Sequence, residues 1–100
     1  MKSAIFDQYV DKIIELFSIK REDFFLKSKK QELVDARQLF YYLCYTRNVR
    51  LCYIGRYMRS QGYGIGHNSI QGGIKSMEKK IEQDPDQLTI VKKIDKSVLI

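Results

Sequence analysis

Apolar residues along this chain recur at helical rather than strand spacing. Phe6, Val10, Ile13, Ile14 and Phe17 are separated by Asp7, Asp11, Lys12 and Glu15, which predicts an amphipathic helix over about residues 3–17. The pattern breaks over residues 18–23, and Phe24, Phe25 and Leu26 then predict a short helical turn lying on the core. Leu33, Ala36, Phe40, Leu43 and Cys44 form one stripe of a helix over about 31–46. Val34, Tyr41 and Tyr45 fall on its other faces, so it reads as the central, widely buried helix. Leu51, Ile54, Tyr57 and Met58 mark a helix over about 50–59, and Ile70, Ile74, Met77 and Ile81 another from 67 or 68 to 82. Between these two, residues 61–66 hold three glycines at alternate positions and do not continue a helix. Asp84 as a cap, Pro85 at the first helical position and Gln87 at the capping-box position announce a last helix over about 85–97, with Leu88, Val91, Ile94 and Val98 on its apolar side. No segment alternates as a strand does. The expectation is one all-α domain over residues 1–100, of five or six helices, with no internal repeat or low-complexity stretch.

Charge changes this picture by giving the chain a direction. The net charge of +6 is unevenly placed. Residues 1–19 carry two Lys against three acids, and residues 60–100 six Lys against five acids. Residues 20–59 carry ten Lys and Arg against four acids and so hold an excess of six by themselves. A localised basic surface concentrates a polyanion, and nucleic acid is the commonest one. The same block also suits a solvated charged face.

The remaining composition removes several classes of function. No apolar run approaches the roughly 18 residues that span a membrane, and the N-terminus, interrupted by Asp7 and Asp11, does not read as a signal peptide. Cys44 and Cys52 lie within amphipathic segments, where free thiols in a reducing cytoplasm are expected ahead of a disulfide. One histidine and no CxxC pair leave no metal site. Nucleophilic catalysis needs a base beside a Ser or Cys, and His67 stands apart in a glycine-rich turn. Gly62-Tyr63-Gly64-Ile65-Gly66 lacks the Gly-Lys-Ser/Thr ending of a phosphate loop. No enzyme and no cofactor are therefore expected. Instead, His67, Asn68 and Ser69 open a helix, where free backbone N–H groups can hold a phosphate oxygen and Asn can pair with adenine. Asn68 or Ser69 as a plain helix cap explains the same residues.

Three segments in order carry a resemblance. Asp35-Ala36-Arg37-Gln38-Leu39-Phe40-Tyr41-Tyr42-Leu43, then Leu51-Cys52-Tyr53-Ile54-Gly55, then Gly66-His67-Asn68-Ser69-Ile70 resemble the C-terminal DNA-binding domain of the bacterial replication initiator DnaA. That family shows an ARQ-containing helix, a segment reading SLPEIG and a GGRDHTTV motif opening the recognition helix. Residues 17–25 resemble its short upstream helix, and the likeness spans about residues 5–82. The resemblance implies a helix-turn-helix, here over about 50–82, which reads the major groove while an arginine enters the minor groove. Arg37 matches that arginine. Leu51 and Cys52 match a pair that touches thymine methyl groups, His67 keeps the motif histidine, and Asn68 and Ser69 stand where two threonines stand. Lys75 matches a basic position near a phosphate. The chain departs from the family at Gly66, which replaces an acidic residue, in about four extra residues between Gly55 and His67, and at Gly72 and Gly73 within the recognition helix.

Together these readings predict a double-stranded DNA-binding protein with some sequence preference, acting in replication control or transcriptional regulation. Its contacts would be Arg37, Leu51, Cys52, His67, Asn68 and Ser69 on bases or grooves. Lys27, Lys29, Lys30, Arg47, Arg50, Arg56, Arg59 and Lys75 would lie on phosphates. With no Walker motif in the sequence, ATP-driven melting is not expected of it; a DnaA-like unit of this kind suits a phage or mobile element in a bacterial cytoplasm. The alternative is a protein-interaction module that engages a host initiator or its regulators, suggested by Tyr41, Tyr42, Tyr45, Tyr53, Tyr57 and Tyr63.

Overall fold

Helix ends set the course of this chain. The structure, a computed structural model, describes residues 2–98, with side chains from residue 4 onwards. Residues 1, 99 and 100 of the expected 1–100 domain lie outside the described residues. The helices are α1 (Lys2–Phe17), α2 (Arg21–Phe24), α3 (Gln31–Thr46), α4 (Leu51–Ser60), α5 (His67–Gln83) and α6 (Pro85–Ser97), with no strand among the described residues. None is long and apolar enough to cross a membrane.

Three of these helices stop in the same way. Ser18, Asn48 and Gly62 each adopt a left-handed backbone, with φ of 54°, 64° and 87°. The residue after each one donates its N–H five residues back: Ile19 to Ile14 O at 3.1 Å, Val49 to Cys44 O at 3.0 Å and Tyr63 to Met58 O at 2.9 Å. The left-handed residues themselves donate three back, to Glu15, Tyr45 and Arg59. This paired pattern satisfies carbonyls that a helix end otherwise leaves open, and it turns the following side chain inward. Ile19, Val49 and Tyr63 accordingly all pack on the core. The α5–α6 corner is tighter. Asp84 N–H closes α5 on Lys80 O at 2.8 Å, while its carboxylate accepts from Asp86 N–H at 3.1 Å to start α6. Because that N–H is already engaged, it is not open to the return bond of a capping box from Gln87.

The boundaries of α3 and the start of α6 fall where the pattern puts them. The short helix does not: it runs Arg21–Phe24, ahead of the expected turn at 24–26. Asp23 and Phe24 N–H groups both bond Lys20 O at 3.1 Å, and Glu22 and Asp23 supply the acidic first turn. Of the expected aromatic turn, Phe24 is buried, Phe25 half-buried and Leu26 exposed.

Helix α3 is the axis of the fold and packs against every other helix. Phe40 at its middle meets Phe6 of α1, Phe24 of α2 and Tyr57 of α4, with ring centroids 6.2, 5.7 and 5.8 Å away. The contacts to Phe6 and Phe24 are edge-to-face and that to Tyr57 is tilted, and aromatic pairs of this kind add about 0.5–1.5 kcal/mol to area burial. Tyr9, Val10 and Ile13 of α1, Ile54 and Met58 of α4, Ile70, Ile74 and Met77 of α5, and Val91 and Ile94 of α6 complete one core. Tyr9, absent from the predicted stripe of α1, is fully buried. Its hydroxyl donates to Asp95 Oδ1 at 2.6 Å and accepts from Arg47 Nη1 at 2.9 Å, which reconciles a polar tip with the interior and ties α6 to α1 and α3.

Candidate nucleic-acid interface

The stretch from α4 to α5 holds two helix starts, and neither is closed by a side-chain cap. Arg50 is the N-cap of α4 and Gly66 that of α5, both with extended backbone. Gly66 therefore takes the position expected for Asn68 or Ser69, and those two residues lie within the first turn instead. The first intrahelical bond of α5 runs from Ile70 N–H to Gly66 O at 3.2 Å, so the amides of His67, Asn68 and Ser69 lie outside the helix ladder. All three side chains are exposed. At the start of α4, Leu51 is half-buried against the core and Cys52 is exposed, and both cysteines are free thiols.

The 61–66 turn has no stiffness of its own, with glycine at every second position. Cations from other elements fix it. Lys27 Nζ donates to Gly64 O and lies 4.3 Å from the centre of the Tyr63 ring. Arg59 Nη1 donates to Ile65 O at 3.0 Å. Arg37 lies over the same Tyr63 ring at 4.9 Å.

Arg37 requires a correction. Expected to enter a minor groove, it is only 4 % exposed. Its Nε donates to Phe24 O at 2.8 Å, Nη1 to Ser28 O at 3.2 Å and Nη2 to Leu26 O. A buried guanidinium is tolerated because its donors meet carbonyl dipoles, each such bond to a charged group stabilising by about 1.5–3 kcal/mol. Arg37 thus moulds the loop after α2 rather than reaching outward. Arg47 is half-buried and turned towards α6. It donates to Tyr9 Oη and stands 4.0 Å from Asp95, within the polar knot that holds α6, so part of its charge is offset there.

The other assigned cations divide by partner. Lys29, Lys30, Arg50 and Lys75 are exposed, and none makes an ion pair among the described residues. Arg56 lies over the Tyr53 ring at 5.6 Å, and Lys27 and Arg59 brace the turn as described. By contrast, Arg21 is held by Asp7 and Asp11 at 2.9 and 3.0 Å, and Lys80 by Asp35 at 2.6 Å. Sequence reading did not single out Arg21 or Lys80, whose acidic partners are distant in the chain.

Two depressions join the assigned residues. A cleft of about 220 Å³ is walled by Lys29, Arg37, Tyr41, Tyr63, Ser69 and Gly73, which brings the basic loop beside the first turn of α5. A smaller one of about 130 Å³ brings Leu51 of α4 beside Lys75 of α5, with Tyr45 also in its wall. Within the first cleft, the Tyr41 hydroxyl is buried without a hydrogen-bond partner among the described residues. Burial and the neighbouring Tyr63 raise its pKa well above the usual phenol value, with Arg37 opposing, so it stays protonated. Of the six tyrosines that suggest a protein-contact face, Tyr41, Tyr57 and Tyr63 belong to the core and only Tyr45 is largely exposed. Compared with family models, curated proteins and solved structures, the chain matches none of them.

Proposed function

We propose that this protein binds double-stranded DNA, with α4 and α5 acting as a helix-turn-helix and the loop after α2 lying along a phosphate backbone. The observation that carries this reading is the convergence, around one cleft, of an open helix start and a loop of unpaired lysines. His67, Asn68 and Ser69 offer side chains suited to base edges or phosphates, together with amides that can donate to an oxyanion. Lys29 and Lys30 beside them, with Arg50 and Lys75 nearby in the α4–α5 unit, supply charge for the sugar–phosphate chain. Leu51 and Cys52 begin α4 with small apolar surface of the kind that meets thymine methyl groups. The resemblance of the same segments to the DnaA DNA-binding domain points to the same ligand and to a role in replication control or transcription. Arg37 has no direct contact in this reading, and neither does Arg47.

Titration of isotopically labelled protein with a mixed-sequence duplex tests this residue by residue. The amides of residues 27–30, 50–52 and 66–69 should shift most, and those of the outer face of α1 and of α6 least. Shifts centred on α1 and α6, with residues 66–69 unmoved, would sink the proposed face.

A further inference from the structure

The loop at 25–30, whose lysines are expected to meet DNA, and the turn at 61–66, which leads into α5, are far apart in sequence and neither belongs to a helix. Each is short of internal support. The loop's own hydrogen bonds are local, Ser28 N–H to Leu26 O at 2.7 Å and Lys30 N–H to Ser28 Oγ at 3.2 Å. The turn carries Gly62, Gly64 and Gly66, and an isolated glycine-rich segment loses more conformational entropy on ordering than any other.

Their contacts converge on one ring. Tyr63 is 9 % exposed and is swung inward by the left-handed Gly62, where its N–H closes α4 on Met58 O. Lys27, from the loop, packs on the ring and bonds the adjacent Gly64 carbonyl. Arg37 packs on the ring from α3 while its guanidinium holds three carbonyls of the chain leaving α2, at Phe24, Leu26 and Ser28. A cation over an aromatic face is attracted most when water is excluded, as it is at the buried Arg37 and less so at the exposed Lys27. Loop position and turn position are thus defined by the same group, four residues before α5 begins at His67.

We infer that Tyr63 is a positioning residue that locks the basic loop to the start of α5, so that the two present one rigid surface. This deepens the duplex-binding reading and rests on it for its binding consequence, but the locking itself is a property of the free protein. Ordering the two segments in advance removes an entropy cost that would otherwise fall on binding.

The test compares wild type, Tyr63→Phe, Tyr63→Leu and Lys27→Gln. In the free protein, amide order parameters of residues 26–30 and 63–68 should be near the rigid value of about 0.85 in wild type and in Tyr63→Phe, which keeps the ring face. Tyr63→Leu keeps apolar bulk but lacks that face, and both segments should fall together towards about 0.6. Lys27→Gln, a change at an exposed site, should lower both by a smaller amount and guards against a folding failure of the leucine variant. Disorder confined to one segment in either variant overturns the inference. In duplex binding, Tyr63→Leu should lose about tenfold in affinity at every salt concentration without changing the salt slope, because no phosphate contact is removed, and Tyr63→Phe should retain wild-type affinity. Unchanged affinity in Tyr63→Leu also overturns it. If wild type binds no duplex, the functional reading fails while the order parameters still decide the locking.

Discussion

At the scale of single residues, two adjacent glycines in α5 have opposite meanings. A Cβ on Gly73 would sit 2.8 Å from Tyr41 Cδ2, inside the contact limit, whereas one on Gly72 would meet nothing within 4 Å. Gly73→Ala should therefore destabilise by about 1–3 kcal/mol despite the better helix propensity of alanine, since the buried Tyr41 ring cannot withdraw freely. Gly72→Ala should stabilise by about 0.5–1 kcal/mol. Urea unfolding of the two variants measures both; equal effects would refute the packing assignment. The sequence shows both glycines and marks them as costly to a helix, but not which one faces α3, because that depends on the rotation of α5 about its axis. Arg37 was obscured for a related reason. Charge predicts an outward side chain, and the carbonyls that make its burial tolerable lie 9 to 13 residues back in the chain. By contrast, the exposure of Asn68, Ser69, Lys29 and Lys30 follows from polar residues at a helix start and in a loop, and the structure places them so.

At the scale of elements, helical spacing and capping chemistry were enough to place α3, α5 and α6 to within a residue, because each has a sustained apolar stripe or a defined start. The four-residue α2 has no room for periodicity, so its aromatic residues pointed to the wrong end. The recurring left-handed stop explains why α1, α3 and α4 end where they do, and it was legible only at Gly62. Ser18 carries a side chain into the same conformation with a φ of 54°. Ser18→Gly should relieve part of the left-handed penalty, roughly 1 kcal/mol, and raise thermal stability. Asn48→Gly should change it far less, because asparagine tolerates that region. A calorimetric comparison checks the pair, and a Ser18→Gly protein less stable than wild type would contradict the stop motif. These ends matter for function as well, since the stop at Gly62 directs Tyr63 inward and so fixes where α5 begins.

At the scale of the whole molecule, charge divides by partner and by place. Arg21 is matched to Asp7 and Asp11 and Arg47 faces Asp95, whereas Lys12 of α1, Lys20 before α2 and Lys92, Lys93 and Lys96 of α6 are exposed without an ion pair among the described residues. Lys29, Lys30, Arg50 and Lys75 also lack a match, and what sets them apart is their place in the loop after α2 and the α4–α5 unit, beside the open helix starts. Matched charges add little to the field that a polyanion meets, while unmatched ones release counterions when they dock. The excess of residues 20–59 was visible in the sequence, but its division into structural and available charge was not, because ion pairing joins residues such as Arg47 and Asp95 that lie far apart in the chain. The most direct measurement is the affinity of the protein for a duplex as a function of salt. Four phosphate contacts imply a slope of log K against log salt of about −3 to −4. Binding in the nanomolar to micromolar range that weakens with this steepness is the expected result. Absence of duplex binding at low salt, or affinity indifferent to salt, would contradict DNA binding by this face.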